Sequence, residues 1–313
     1  MGWLSSLFGP KKPDPKKMTA AQFRNMQLKE QIDKANKIPK IKISDRFALE
    51  VRIGQGSMSK VWKARDGKLG RQVCLKVLDK EKTKRFDARF VGLVRPHEGM
   101  ISTALKHKNC VKTFEWGLTK DGEIFIVMEL IEGMGLNFLI ETHSKQLEAN
   151  RCNYLMQAAE GLGYIHEQGY MHRDICPRNM LVNSEGVLKL IDFGLTIPNT
   201  PEFCKPGNRT GSANYMAPEL VRRTTTDHRV DLFALGVTAY ETFTANLPWE
   251  SGGQSLQSAL SRMNQPPRDP RDFKPDMPEP VVHFLLKAIA REPSERFQTA
   301  QEFKEAVKKL GLP

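Results

Sequence analysis

The sequence has few cysteines and no long apolar run, and these two absences exclude several classes of protein. Its five cysteines are an odd number with no C-x-x-C pair, so neither a disulfide scaffold nor a zinc site is expected, and a reducing compartment fits best. The longest apolar stretch, 124–131, is interrupted by Glu129 and is far shorter than the roughly 18 residues of a spanning helix. The first residues lack the order of a signal peptide. We expect a cytoplasmic protein, or one attached peripherally to a membrane.

What is present is an ordinary globular composition with an uneven surplus of positive charge. Hydrophobic residues make up 40% and charged residues 27% of the 313 residues, which supports a sizeable core and excludes disorder over the whole length. The net charge of +12 raises the question of an anionic partner. Residues 1–43 contain ten Lys and Arg against three acids, so seven of the twelve net charges lie there. The rest of the chain gives no reason to expect a nucleic-acid partner.

Residues 1–46 are interpreted as a basic N-terminal extension that is partly disordered or helical. The extension begins with apolar residues, continues with KKPDPKK, and then has a polar helical pattern over 19–37. Two interpretations stay open for residues 1–43. They form a solvated arm, or they make weak contact with an anionic membrane, because each basic residue near a lipid surface adds about 1 kcal/mol of attraction.

The patterning from residue 47 onward predicts an α+β fold. The runs FALEVRIG, KVWKAR and RQVCLKVL alternate between apolar and polar residues and predict an antiparallel sheet. After about residue 133 the apolar residues recur at helical spacing over 150–168, 231–244, 280–291 and 299–310. A sheet lobe followed by a helical lobe leaves a cleft between them.

The first chemical motif is a glycine-containing hairpin followed by a strand lysine. A G-x-G in a hairpin lets main-chain amides approach a phosphate without interference from side chains. Lys76 lies fifteen residues beyond the hairpin in an apolar strand. On their own, two glycines are typical of any turn, and a strand lysine usually reaches solvent. The candidate nucleotide-binding residues of the loop are Ile53, Gly54, Gln55, Gly56, Ser57, Met58, Ser59, Lys60 and Val61.

The second motif is HRDICPRN at 172–179, followed by IDFG at 191–194. Asp174 can accept a hydroxyl proton, while Asn179 and Asp192 supply oxygen ligands for a hard cation, as phosphoryl transfer requires. Together with the glycine loop, Lys76 and the APE triplet at 217–219, these residues resemble the signature set of eukaryotic-type (Hanks-type) protein kinases. The likeness covers about 47–310. The segments LGRQVCLKVL and GSANYMAPE make it most similar to bacterial eukaryotic-like Ser/Thr kinases.

The resemblance implies a bilobal kinase fold over 47–310, with an antiparallel sheet in the N-lobe (47–132) and a mainly helical C-lobe (133–310). It also implies an enzyme that transfers the γ-phosphoryl group of MgATP to Ser/Thr hydroxyls of protein substrates, including its own activation segment (192–219). A pseudokinase scaffold and a small-molecule kinase of the aminoglycoside type are the alternatives. The first would bind without transferring phosphate, and the presence of the four residues Lys76, Asp174, Asn179 and Asp192 argues against it. Kinases of the second type lack the APE triplet that this chain has.

The same resemblance implies roles for individual residues. Lys76 would hold the α- and β-phosphates, and the backbones of Glu129 and Ile131 would bind the adenine edge. Asn179 and Asp192 would bind Mg²⁺, with Mn²⁺ as an alternative metal. Asp174 would orient the acceptor hydroxyl and accept its proton late in a loose transition state.

Glu98 is the candidate acidic partner of Lys76, because it lies nine residues before the H-x-N turn at 107–109. Pro96 and Gly99 flank it where the family has uninterrupted helix, so we expect the helix to begin at about Pro96. Glu98 would then either pair with Lys76 or merely offset the helix dipole.

The clearest departure from the family is Cys176, which stands where Ser/Thr kinases carry a lysine that contacts the γ-phosphate. Arg178, two residues later, is the candidate replacement for that charge, as in tyrosine kinases. Cys176 itself is either a buried space-filling residue or a reactive thiol. A smaller departure is Ser59, which stands at the third glycine of the loop.

The activation segment contains three candidate phosphorylation sites, Thr196, Thr200 and Thr210. In relatives, a phosphate on this segment neutralises the arginine that Arg173 matches. The resemblance further implies that Glu219 pairs with Arg296 and that Asp231 supports the catalytic loop. The substrate protein, the activating signal and the oligomeric state do not follow from the sequence.

Overall fold

A computed structural model describes residue 30 and residues 38–55, 58–249 and 265–312. Within these ranges the chain first forms a five-stranded antiparallel sheet with the strand order β1-β2-β3-β5-β4. The three sequence runs predicted as strands form β1, β2 and β3. The strands are β1 (Phe47–Gln55), β2 (Ser59–Asp66), β3 (Arg71–Leu78), β4 (Thr113–Leu118) and β5 (Ile124–Met128).

The register of the sheet aligns Gly54 of the glycine hairpin with Lys76 across three neighbouring strands. In the ladder between β1 and β2, Gly54 lies opposite Val61, and in the ladder between β2 and β3, Val61 lies opposite Lys76. Gly56 and Ser57, at the tip of the predicted loop, and nearly all of the predicted helix at 19–37 lie outside the described residues.

Two helices lie between β3 and β4: α1 (Lys80–Asp87) and α2 (Glu98–Ala104). The predicted start of α2 at about Pro96 is wrong by two residues. His97 has extended backbone, and its Nδ1 accepts a hydrogen bond from the Met100 amide, so His97 is the cap and the helix begins at Glu98. A Cβ at position 99 would lie 2.8 Å from Trp116. Glycine at 99 therefore lets the first turn of α2 pack tightly against β4.

The second lobe is mainly helical, and all four predicted helices are present in it. Its large apolar core includes the fully buried side chains of Tyr154, Tyr240 and Phe303. In the described residues its helices are α3 (Leu136–Glu141), α4 (Lys145–Glu148), α5 (Arg151–Glu167), α6 (Pro218–Val221), α7 (Arg229–Thr244), α8 (Glu279–Ala288) and α9 (Ala300–Lys309). None of the helices in the described part of the chain is both long and apolar enough to cross a bilayer.

Short strands position the second motif at the edge of this lobe. One small sheet contains β6 (Gly133–Gly135), β8 (Met180–Asn183) and β9 (Leu188–Leu190), and the other pairs β7 (Tyr170–Met171) with β10 (Ile197–Pro198). The HRD motif follows β7, and Asp192 follows β9. The predicted α+β, bilobal arrangement is therefore confirmed.

Candidate active site

The loop between β7 and β8, here called the catalytic loop (172–179), brings Asp174 and Asn179 together. The side-chain Nδ2 of Asn179 donates to both the main-chain oxygen and Oδ2 of Asp174, each at 2.8 Å. These two bonds fix the aspartate within its own loop. They also leave the amide oxygen of Asn179 free to act as a metal ligand.

Ser212, in the activation segment, holds Asp174 from the opposite side. Its amide and its hydroxyl both donate to Asp174 Oδ1, at 2.8 Å and 2.7 Å. The residues GSANY at 211–215 resemble the G-T-x-x-Y substrate loop of protein kinases, with serine at the second position. That resemblance predicts that Ser212 belongs to a substrate loop, but it does not predict these two bonds to Asp174.

Asp231, at the start of α7, supports the catalytic loop as predicted. Its two carboxylate oxygens accept the main-chain N–H groups of His172 and Arg173 at 2.8 Å, and Oδ2 also lies 3.0 Å from His166 Nε2. Burial opposes the charge of Asp231, but these hydrogen bonds outweigh it and lower the pKa of the carboxyl. The bonds hold Arg173 at φ 69, a left-handed conformation that costs energy in a non-glycine residue.

Lys76 on β3, Glu98 on α2 and Asp192 after β9 form an ion triad. Lys76 Nζ lies 2.6 Å from Glu98 Oε1 and 2.8 Å from Asp192 Oδ1. Burial opposes all three charges. The two carboxylates outweigh burial at Lys76 and raise its pKa, and Lys76 lowers the pKa of Asp192. At Glu98 burial dominates and raises the pKa. Glu98 thus contacts Lys76 directly, as the first of its two interpretations requires.

Asp192 remains open to the cleft, because its side chain is 38% exposed while those of Lys76 and Glu98 are buried. Its backbone is left-handed, with φ 66. Asp192 Oδ1 accepts a second bond from the Gly194 amide at 3.0 Å. A Cβ at Gly194 would lie 3.1 Å from Asp192 Oδ1 and 3.3 Å from Glu98 Oε2, so glycine at 194 gives the triad its room.

The donor set at this point suits a hard cation. Asp192 offers a carboxylate and Asn179 an amide oxygen, which are the ligand types that Mg²⁺ prefers. No group of three or more His, Cys, Asp or Glu side chains is arranged for a metal in the part of the chain that the structure describes. A two-residue site of this kind fits Mg²⁺, which keeps several waters and takes further ligands from substrate phosphates.

Comparison with known families identifies the chain. The protein kinase domain family matches residues 47–307, which is more than four fifths of the sequence. The chain belongs to this family. The relatives are bacterial: the kinase domain is 33% identical over 272 residues to the probable serine/threonine-protein kinase PknB of Corynebacterium glutamicum (83% of this chain, 41% of the relative).

Two further relatives are serine/threonine-protein kinase PrkC of Bacillus subtilis and serine/threonine-protein kinase pkn3 of Myxococcus xanthus. PrkC is 29% identical over 85% of this chain and 41% of its own length, and pkn3 is 30% identical over 84% and 49%. The predicted likeness to bacterial eukaryotic-like kinases is confirmed. The chain spans less than half the length of these relatives.

The main chain and the side chain of Glu129, the residue after Met128, are both held by neighbouring residues. The Glu129 amide donates to Lys112 O at 2.9 Å, and the Glu129 carboxylate accepts from the Lys112 amide at 2.7 Å and pairs with Lys189 at 2.8 Å. Ile131 packs against the core. The amide and the side chain of Glu129 are thus both occupied by contacts within the protein.

Cys176 is fully buried, and burial raises the pKa of its thiol to about 11. Its Sγ lies 3.8 Å from Ser212 Oγ. A protonated, inaccessible thiol favours the space-filling interpretation over the reactive one. Arg178 is exposed, and its Nη2 donates to the same hydroxyl of Ser212 at 3.2 Å. The Arg178 guanidinium is thus linked to Asp174 through the hydroxyl of Ser212.

The activation segment is ordered by contacts with the rest of the C-lobe. Arg296 donates to both carboxylate oxygens of Glu219, at 2.7 Å and 2.9 Å, as predicted. Of the three candidate phosphorylation sites, Thr196 and Thr210 are buried, and Thr200 is partly exposed. Thr200 is therefore the most accessible of the three.

Proposed function

We propose that this chain transfers the γ-phosphoryl group of MgATP to serine or threonine hydroxyls of protein substrates. The observation that carries the proposal is the meeting of two groups at one cleft. These are the ion triad of Lys76, Glu98 and Asp192, and the pair of Asp174 and Asn179. Membership of the protein kinase domain family and the names of the bacterial relatives support the reaction and the class of acceptor.

Asp174 has the geometry of a group that orients an acceptor hydroxyl. One of its oxygens is held by Ser212 and the other by Asn179, so its carboxylate does not rotate away from an incoming hydroxyl. A carboxylate is too weak a base to ionise a serine first. It therefore takes the proton late, as the oxygen–phosphorus bond forms in a loose transition state.

The nucleotide would be held by the sheet lobe. Lys76, whose Nζ is fixed by Glu98, contacts the α- and β-phosphates, and the loop from Ile53 to Val61 covers them with main-chain amides. The main chain at Glu129 and Ile131 binds the adenine edge. Asn179 and Asp192 hold Mg²⁺, or Mn²⁺ in its place, and the metal offsets the charge of the β- and γ-phosphates when bound.

Arg178 supplies the positive charge that Cys176 cannot. Its guanidinium donates to the hydroxyl of Ser212, which in turn donates to Asp174. An arginine is always charged and forms paired bonds with phosphate oxygens, so it serves the role of the lysine that this chain lacks.

The wider organisation stays a prediction: an extension over 1–46, a kinase domain over 47–310, a cytoplasmic location and self-phosphorylation of the activation segment, for which Thr200 is the most accessible site.

Residues 1–43 would make weak contact with an anionic membrane. Flotation with vesicles containing phosphatidylserine tests that contact, and equal flotation of the full chain and a chain lacking 1–43 would overturn it.

The reaction is tested by incubating the purified protein with radiolabelled ATP, Mg²⁺ and a general protein acceptor, followed by acid hydrolysis and phosphoamino-acid analysis. We expect phosphoserine and phosphothreonine, and no label with the Asp174→Asn variant. An unlabelled wild-type reaction overturns the kinase proposal, and phosphotyrosine alone overturns the Ser/Thr assignment.

A further inference from the structure

The segment between β3 and α2 (79–97) packs against the beginning of the activation segment. Its aromatic side chains form one face of an apolar cluster whose other face comes from the catalytic region. The ring centroids of Phe90 and Phe203 are 5.3 Å apart, and those of Phe86 and Phe90 are 5.5 Å apart. The buried members of the cluster are Phe86, Phe90, Met171, Ile197, Phe203 and Cys204. The two segments thus share a small core that links the lobes.

Arg95 adds polar contacts next to this cluster. Its side chain is 2% exposed. Nη1 donates to the main-chain oxygens of Thr196 at 3.0 Å and Gly194 at 3.4 Å, while Nε donates to Asp87 Oδ1 at 2.9 Å. The guanidinium lies 4.7 Å from the centroid of the Phe86 ring. One side chain therefore connects α1 with the main chain that follows Asp192.

The two carbonyls that Arg95 binds lie two and four residues after Asp192. Asp192 has a left-handed backbone, a conformation that persists only where its surroundings fix it. The Gly194 amide donates to Asp192 Oδ1, and the Gly194 carbonyl accepts from Arg95. Arg95 and the Asp192 carboxylate therefore hold the main chain of the same residue. A planar guanidinium spreads five donors over three nitrogens in a fixed fork, so it can bind two carbonyls and a carboxylate that lie apart, whereas the three donors of a lysine lie on one atom.

The far end of the activation segment is held in a similar way. Arg173 is buried, and its Nη2 donates to Asn208 O at 2.8 Å and to Thr210 Oγ1 at 3.3 Å. Its Nη1 lies 3.4 Å from Thr226 Oγ1. The arginine that a phosphate neutralises in relatives is thus already bonded to unmodified groups.

We propose that Arg95 is a positioning residue for Asp192. By holding the carbonyls of Gly194 and Thr196, it keeps the Asp192 carboxylate on Lys76 in the unphosphorylated protein. Arg95 touches neither nucleotide nor acceptor, and the inference rests on the proposed kinase reaction for its effect on rate.

The test compares Arg95→Met and Arg95→Lys with the wild type, using Arg89→Met as the matched control. Arg89 also lies over the Phe86 ring, at 5.8 Å, but is exposed, and within the described residues it has no hydrogen bond to the activation segment. All proteins are treated with phosphatase first. Amide hydrogen exchange is measured over 193–204 and over α5, and kcat and KM for ATP are measured separately.

For Arg95→Met we expect exchange over 193–204 to rise about tenfold or more, since a hydrogen bond to a charged group is worth at least that factor. Exchange in α5 stays unchanged. The value of kcat should fall about tenfold while KM for ATP changes by less than about threefold, because Lys76 and the hairpin remain. Arg95→Lys should be intermediate, and Arg89→Met should match the wild type.

Three results would overturn the proposal: unchanged exchange over 193–204 in Arg95→Met, faster exchange throughout the protein including α5, or a rise in KM with kcat unaltered. The exchange measurement does not depend on turnover. If the wild type transfers no phosphate, the kinase proposal fails while the exchange result still decides whether Arg95 orders the segment.

Discussion

The two sides of the cleft are held by different kinds of interaction. On the C-lobe side, Asp231 accepts two main-chain amides of the catalytic loop, and all of these groups belong to one lobe. On the nucleotide side, Lys76 joins Glu98 and Asp192, so the triad draws on both lobes. The catalytic loop therefore keeps its shape independently of lobe closure, whereas the triad requires three segments to meet.

Because of this difference, substitutions on the two sides should differ in whether they change the rate or the stability. Loss of the Lys76 charge acts directly on the reaction, because Lys76 joins the two carboxylates where the lobes meet. Loss of the Asp231 charge acts mainly on the fold, because it weakens the acceptors of two buried amides.

On the nucleotide side of the cleft, the largest effect on rate is expected for Lys76→Met. This variant removes the cation shared by Glu98 and Asp192, and removing one preorganised charge from a phosphoryl-transfer site costs about 10²–10³-fold in kcat. Initial rates of phosphate transfer measure the loss. Lys63→Met, on the neighbouring strand β2, is the matched control and should keep the wild-type rate. Transfer by Lys76→Met at near wild-type rate would remove the triad from the mechanism.

Asp231→Asn is expected to lower the free energy of unfolding by about 3 kcal/mol at pH 7, because hydrogen bonds to a buried charge are replaced by weaker ones. The pKa of Asp231 is lowered in the folded state. Its stabilisation is therefore present above the unfolded carboxyl value, near pH 4. It is lost as the pH falls through the lower folded value.

Urea unfolding of wild type and Asp231→Asn from pH 7 down to about pH 3 checks this sign, with exposed Asp276→Asn as the control. The gap between wild type and Asp231→Asn should narrow as the pH falls below about 4. A gap that widens in acid would contradict the account of how the catalytic loop is supported.

Arg178→Ala should lower kcat/KM by about tenfold, and Arg178→Lys should recover much of the loss, because the role needs a cation within reach of the γ-phosphate. Steady-state kinetics with ATP at fixed Mg²⁺ measure both variants. Equal rates for Arg178→Ala and wild type would show that Arg178 does not replace the charge of the missing lysine.

The smallest effect is expected at Cys176. Since burial raises its thiol pKa to about 11, iodoacetamide at pH 7.5 should label it only after unfolding, as measured by peptide mass spectrometry. Cys176→Ala should keep the rate within about twofold, because the thiol contributes packing alone. Rapid labelling of the folded protein would restore the reactive-thiol interpretation.

The sequence predicted the lobes, the strands of the hairpin and the four long helices, because hydrophobic periodicity is a local property of the chain. The spacing of Asp174, Asn179 and Asp192 in short loops also indicated phosphoryl transfer, and the resemblance to protein kinases added Lys76. Glu98 contacts Lys76, but the start of its helix differs from the expectation. Pro96 was placed inside the helix, whereas the imidazole of His97 caps it.

The contacts that Ser212 and Arg95 make could not be read from the sequence, for a common physical reason. Ser212 lies 38 residues from Asp174, and Arg95 lies about 100 residues from the carbonyls that it binds. Their chemistry consists of hydrogen bonds across the fold, which leave no periodicity or local spacing behind.

In the proposed reaction, Asp174 orients the acceptor hydroxyl and accepts its proton, while the sheet-lobe side of the cleft holds the nucleotide. The most direct test measures MgATP affinity and phosphate transfer on the same preparations of wild type and Asp174→Asn. We expect transfer to fall by about 10²–10⁴-fold in the variant with little change in affinity. Transfer retained in Asp174→Asn, or affinity lost in parallel with transfer, would contradict the account.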